Sequence, residues 1–182
     1  MDWISEVESR IRRKNQILFA KNGDFLADLT ALIQQQHHRT LILWAFEFAD
    51  EIVTSMLEKF PKEHRLETAV VLSKEWAAGK VKMPVAKRAI LNAHATAKEM
   101  LLPEDKALCH AVGQACSVVH TSRHALGFPI YELTSLVRKY GLPECKTIVE
   151  ERKKQYFERL LFWQEQENED SYQWAIFLGK GD

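Results

Sequence analysis

The sequence predicts an all-α protein, a single-domain bundle of roughly seven to eight helices over residues 1–182, and three observations carry that expectation. Apolar residues recur at three- and four-residue spacing through long stretches. Gly (7) and Pro (5) are few in 182 residues and fall where that periodicity breaks. The composition, 46% hydrophobic and 27% charged, is that of one compact globular domain, whose core at this length needs no disulfide or metal staple.

Asp2 is suited to cap a first helix running to about Ala20, where Lys21-Asn22-Gly23 offers a basic last turn and a glycine stop. A second helix over 24–36 would bury Phe25, Leu29, Leu32 and Ile33. A third, carrying Leu41, Trp44, Ala45, Phe48, Ile52 and Met56, is apolar on nearly every side in its first turns and belongs in the middle of a bundle. Pro61 ends it. The fourth runs from about His64 to Gly79 with Leu66, Ala69, Val70, Ser73, Trp76 and Ala77 on one face. Pro84 and Pro103 suit first helical positions of the next two, which share alanine-rich faces and should pack closely with Gly113 at a near contact. Leu126-Gly127-Phe128-Pro129 reads as a turn before a seventh helix, closed by Gly141 and Pro143. The eighth, over 144–166, sets Val149, Tyr156, Leu160 and Trp163 on one stripe and faces water with Glu150, Glu151, Lys153 and Lys154. An acidic run and a short aromatic tail (Tyr172, Trp174, Ile176, Phe177) follow.

Lys+Arg and Asp+Glu number 25 each, so net charge is zero, which argues against a general binder of nucleic acid or of anionic membranes. The opening residues lack the basic, apolar and cleavage-site succession of a signal peptide, and the longest unbroken apolar run, 41–46, is far short of a membrane span. Cys109, Cys116 and Cys145 fit no paired metal spacing and read as reduced thiols of a cytoplasmic protein.

His120 and His124 form H-x-x-x-H, which on a helix would place both imidazoles on one side. The residue after the first histidine is Thr121 rather than the glutamate of zincins, and Arg123 would repel a cation. His94 and His110 could approach in space and complete a three-histidine site. The same residues also read as buried, hydrogen-bonded histidines that fix helix register, the reading these residues favour. Asp50 and Glu51 follow directly on the aromatic section of the third helix. They could form an acid and base pair, or else be an exposed strip or partners for Arg65 or Arg88. Cys109 and Cys116 share a helical face and read as small core residues. The phosphate-loop, dinucleotide, nucleophile-elbow and zincin motifs are all missing from the sequence. No catalytic residue, metal site or cofactor is therefore expected.

Over 39–141 the chain resembles the predicted bacterial immunity proteins of the family numbered five in polymorphic toxin systems. The resemblance lies in Arg39-Thr40-Leu41 before Trp44-Ala45, in Ala49-Asp50-Glu51, in the turn from Pro61 to Arg65, and in Trp76 with Gly79. It continues through Ala86-Lys87-Arg88-Ala89, Ala93-His94-Ala95, Ala111-Val112-Gly113-Gln114-Ala115, His120, His124-Ala125 and Tyr131. It implies an all-helical bacterial protein, encoded beside a toxin gene, that binds the toxin without catalysis. It carries no catalytic residues with it. Phe48 stands where many members carry Cys, and 1–38 and 142–182 add a helical pair and a C-terminal helix with its tail. The cluster matching the family is Trp44, Asp50, Glu51, Arg65, Trp76, Arg88, His94, Gln114, His120, His124 and Tyr131.

Charge divides unevenly along the chain. Residues 41–80 are net −2, 81–142 net +4 and 143–182 net −3. Glu165, Glu167, Glu169 and Asp170 are thus the candidate contact for a toxin with a basic cleft. The competing readings are a metal-dependent helical-bundle hydrolase using His94, His120 and His124, and a structural or regulatory helical protein.

Overall fold

The computed structural model describes residues 2–166 and 171–179, and among these every regular element is helical. The eight α-helices are α1 (Trp3–Arg12), α2 (Ala27–Gln34), α3 (His38–Lys59), α4 (Arg65–Ala77), α5 (Met83–Thr96), α6 (Pro103–Ser117), α7 (Gly127–Tyr140) and α8 (Lys146–Glu165). Short 3-10 turns occupy Asp24–Leu26, Ser122–His124 and Ile176–Leu178.

The centre is shared by α3 and α6. Helix α6 packs against α3, α4, α5 and α7, and α3 adds α8 on its other side. Small residues make this possible: Ala107, Cys109, Ala111, Val112, Gly113, Ala115 and Cys116 are all buried on α6, so four neighbours approach it closely. The buried thiols are held well above their ordinary range, with Cys109 and Cys116 both pushed up to about 12 by burial, as core residues rather than nucleophiles. Bulk is supplied where α3, α7 and α8 meet. Trp44, Phe48, Phe128 and Tyr156 are fully buried there, with ring centroids 4.6–6.2 Å apart, mostly edge to face.

Several helix ends fall where the sequence places them. Pro84 and Pro103 sit in the first turns of α5 and α6, and Gly79 and Gly141 end α4 and α7 with φ of 75° and 74°. Three readings need correction. The first helix stops at Arg12, not near Ala20, because Lys14 takes a left-handed conformation (φ 57°) and the Asn15 amide closes back on the Arg10 carbonyl. Residues 15–20 then run across the bundle. The Leu18 amide donates to Thr134 Oγ1 and Arg138 donates to the Asn15 carbonyl, which together dock this segment on α7. Second, Gly127 and Pro129 lie inside the first turn of α7 rather than in a turn before it. Third, the charged face of α8 is not simply turned to water. Lys153 pairs with Asp28 at 2.8 Å and lies over the Phe25 ring, while Glu150 accepts from the Trp3 indole, so this face holds the N-terminal helices.

The aromatic tail docks on its own chain. The Ala175 amide donates to the Ala77 carbonyl at 2.7 Å, the Gln173 amide to Ala78, and Arg39 covers the Trp174 ring while donating to the Leu178 carbonyl. Gly79 matters here because Ala175 passes directly over it.

Candidate functional site

Five of the polar residues singled out from the sequence lie near one another where α5, α6, α7 and the 122–124 turn converge, but in an arrangement the spacing does not reveal. On α6, His110, Gly113 and Gln114 are spaced three and four apart and share a face. His94 of α5 lies across that face, its imidazole seated on Gly113 where any Cβ would overlap the ring. Its Nδ1 lies 2.9 Å from Nδ1 of His110, so one imidazole donates to the other. Tyr131 of α7 places its ring 5.2 Å from that of His110. One turn earlier on α7, Gly127 leaves room for the Gln114 side chain, whose Oε1 accepts from His124 Nδ1 at 3.0 Å.

The expected approach of His94 and His110 is therefore found, whereas His94, His120 and His124 do not meet as one ligand set. Helix α6 ends at Ser117, so His120 and His124 are not successive turns of one helix. His120 is exposed and stacks beside Trp76, and His124 faces Gln114. Among the described residues no group of three or more His, Cys, Asp or Glu side chains is placed to hold a metal ion.

Electrostatically the cluster is held uncharged. Burial, helped by neighbouring His110 and His124, lowers the His94 pKa to about 4, and burial lowers His110 and His124 and raises Tyr131. His94, His110 and Tyr131 open onto a cleft of about 440 Å³ whose other walls include Gln16, Lys98, Lys106 and Arg138. On its other side Tyr131, with Gln114, borders a wider hollow of about 780 Å³ beneath the N-terminal segment.

The remaining family-matching residues are dispersed over the molecule. Asp50 is exposed and pairs with Lys74 at 2.6 Å rather than with Arg65 or Arg88, because α4 turns its Lys74 toward α3. Arg65 instead bridges Glu63 and Glu99; the two carboxylates hold its guanidinium firmly charged, and its hydrogen bonds lower the pKa of both. Arg88 is exposed. Trp44 donates its indole N–H to the Tyr156 carbonyl at 3.0 Å within the aromatic core, and Trp76 lies buried beneath Phe177 of the tail. Of the acidic run, Glu165 is exposed at the end of α8, and Glu167, Glu169 and Asp170 lie outside the described residues.

Glu51 points to a group that sequence reasoning missed. It pairs with Arg152, whose guanidinium also binds Glu132 through Nε at 2.9 Å and Nη2 at 2.6 Å. Tyr156 donates to the other Glu132 oxygen at 2.6 Å. Glu132 is only 6% exposed, and burial raises its pKa while the guanidinium pulls the other way. Residues 132 and 152 are twenty apart on different helices, and the only signal was a glutamate amid the apolar positions of α7.

A family model described as "Imm-5 like putative immunity protein" matches residues 31–159, and the chain belongs to that family. Comparison with curated proteins and with solved structures gives no match.

Proposed function

We propose that this member of the immunity-protein family acts in the bacterial cytoplasm, where it binds a toxin encoded by a neighbouring gene and neutralises it by occupancy rather than by catalysis. The observation that carries this reading is the family match, which spans α3 to α7 and most of α8. The fold is suited to the task. A tight, slowly dissociating complex needs a surface that is ordered before the partner arrives, and here the 15–18 segment is fastened to α7 and Ala175 to the end of α4 by hydrogen bonds.

Recognition of a basic toxin cleft is assigned to the acidic run that begins at Glu165. Carboxylates clustered in this stretch of the sequence would steer such a partner and fix its register. The family-matching residues, most of them engaged inside the bundle, act as its framework rather than as its contact face.

The direct test is co-expression with the product of the adjacent gene, followed by co-purification and growth rescue. Stable complex formation with rescue is expected, and Glu165→Gln, Glu167→Gln, Glu169→Gln and Asp170→Asn together should slow association, most visibly at low salt. Rescue without complex formation, abolished by His94→Ala, would instead establish an enzyme; unchanged binding by the neutralised variant would remove the acidic run from the interface.

A further inference from the structure

From the cleft bounded by α5, α6, α7 and the 15–20 segment we infer a binding site for a dianionic phosphate group, separate from the toxin-binding reading. Three cations, Lys98 in the turn after α5, Lys106 of α6 and Arg138 of α7, line this space of about 440 Å³. That volume is within the range of small-molecule sites. Neutral donors, the Gln16 amide, the His94 and His110 imidazoles and the Tyr131 hydroxyl, complete the wall, and among the described residues no carboxylate lines it.

Many of the other cations are answered with acids: Arg152 with Glu132 and Glu51, Lys59 with Asp105, Arg65 with Glu63 and Glu99, Lys153 with Asp28, Arg159 with Glu47. Arg39 is held instead by the Leu178 carbonyl and the Trp174 ring. At the cleft, Arg138 is instead steadied by donating to the Asn15 carbonyl at 2.8 Å, which fixes its position while leaving its charge uncompensated. Three positive charges on one cleft, with no carboxylate among its described lining residues, make a local potential that an anion can satisfy.

The donors point to phosphate rather than carboxylate. A carboxylate offers two oxygens and one charge, whereas a phosphate monoester offers three terminal oxygens and close to two charges at pH 7. The latter matches several donors spread around a concave wall. His94 has its Nδ1 on His110 and its Nε2 against Gly113, so the cleft-facing donor of the pair is His110, which keeps its proton on Nε2 when its Nδ1 accepts. Gly113 is the structural device behind this: only a missing Cβ lets His94 sit low enough to meet His110.

Isothermal titration with sulfate, inorganic phosphate and adenosine monophosphate tests the site on the intact chain. Saturable one-to-one binding of all three at similar strength would identify the bare oxyanion as the ligand; binding tightened by the nucleoside would identify a phosphate monoester as its source. Lys98→Gln with Lys106→Gln, both exposed positions, should weaken binding roughly tenfold or more with the melting temperature unchanged. Lys82→Gln with Lys87→Gln, elsewhere on or beside α5, should leave it intact. No saturable binding of any probe, or equal losses in the two double variants, would overturn the site.

Discussion

Two of the polar groups within this helical bundle solve the problem of burial in opposite ways. Around Glu132, charge is kept and paired: a carboxylate, a guanidinium and a phenol hydroxyl close a circuit beneath Phe48, with Arg152 4.6 Å from that ring. Around His94, charge is given up: the imidazole pairs with a second imidazole and its pKa falls to about 4. In the first arrangement Glu132 and Tyr156 are buried, and water is met only on the Arg152–Glu51 side. The second faces a cleft. A buried ion pair is costly to break, since removal of one partner strands the other's charge. A neutral pair at a cleft can exchange its partners with water or a ligand. The contrast separates a polar group that serves folding from one that remains available for binding.

Truncation should show this most clearly. Glu132→Ala leaves Arg152 and Tyr156 without their shared acceptor and is expected to cost about 3–5 kcal/mol in denaturant unfolding. His94→Ala should cost on the order of 1 kcal/mol, since His110 can turn to water in the cleft. Equal losses would break the distinction.

Backbone approach offers the next test. Gly113→Ala drives a methyl group into the His94 ring, which packing cannot easily move, and should cost about 1–3 kcal/mol despite the better helix propensity of alanine. In a double-mutant cycle His94→Ala should recover most of that loss. Gly127→Ala, by contrast, meets the flexible end of Gln114 and should be milder.

The pH dependence follows from the same comparison. The unfolded chain protonates His94 near the ordinary 6.5 and the folded chain only near 4, so the unfolded state binds more protons between those values. His94 therefore contributes stability above about pH 6.5 that is lost as pH falls through about 4. Thermal melts should drop by a few degrees across that window, discounted because the ring is partly in contact with solvent, and His94→Gln should flatten the slope.

The smallest effect belongs to the surface. Asp50→Asn breaks a short but exposed pair with Lys74 and should change stability by less than about 0.5 kcal/mol. A larger loss would mean that exposed charge does work here that both buried groups were thought to monopolise.

The helix count, the prolines in first turns and the glycine stops were legible because each is set by the local chain. The early end of α1 was not: Lys14 adopts a positive φ with no glycine to announce it, and residues 15–20 gain their bonds from Thr134 and Arg138, far away in sequence. The candidate site divides in the same manner. The spacing of His110, Gly113 and Gln114 on one helical face could be read directly, and the approach of His94 could be anticipated from two alanine-rich helices. The partition of the histidines could not, because it depends on where α6 stops and the chain turns.

By itself, then, the sequence determined an all-helical single domain, the family to which it belongs and an uneven distribution of charge. These are properties of composition, periodicity and residue order. Tertiary structure alone decided which charges meet. It put Arg152 on Glu132, Lys74 on Asp50 and Asp28 beneath Lys153, and it left Lys98, Lys106 and Arg138 around a cleft without a carboxylate. The physical reason is range. Helix propensity and capping act over a turn or two, whereas an ion pair or a cleft requires side chains from separate helices, and their meeting is set by how the whole bundle packs.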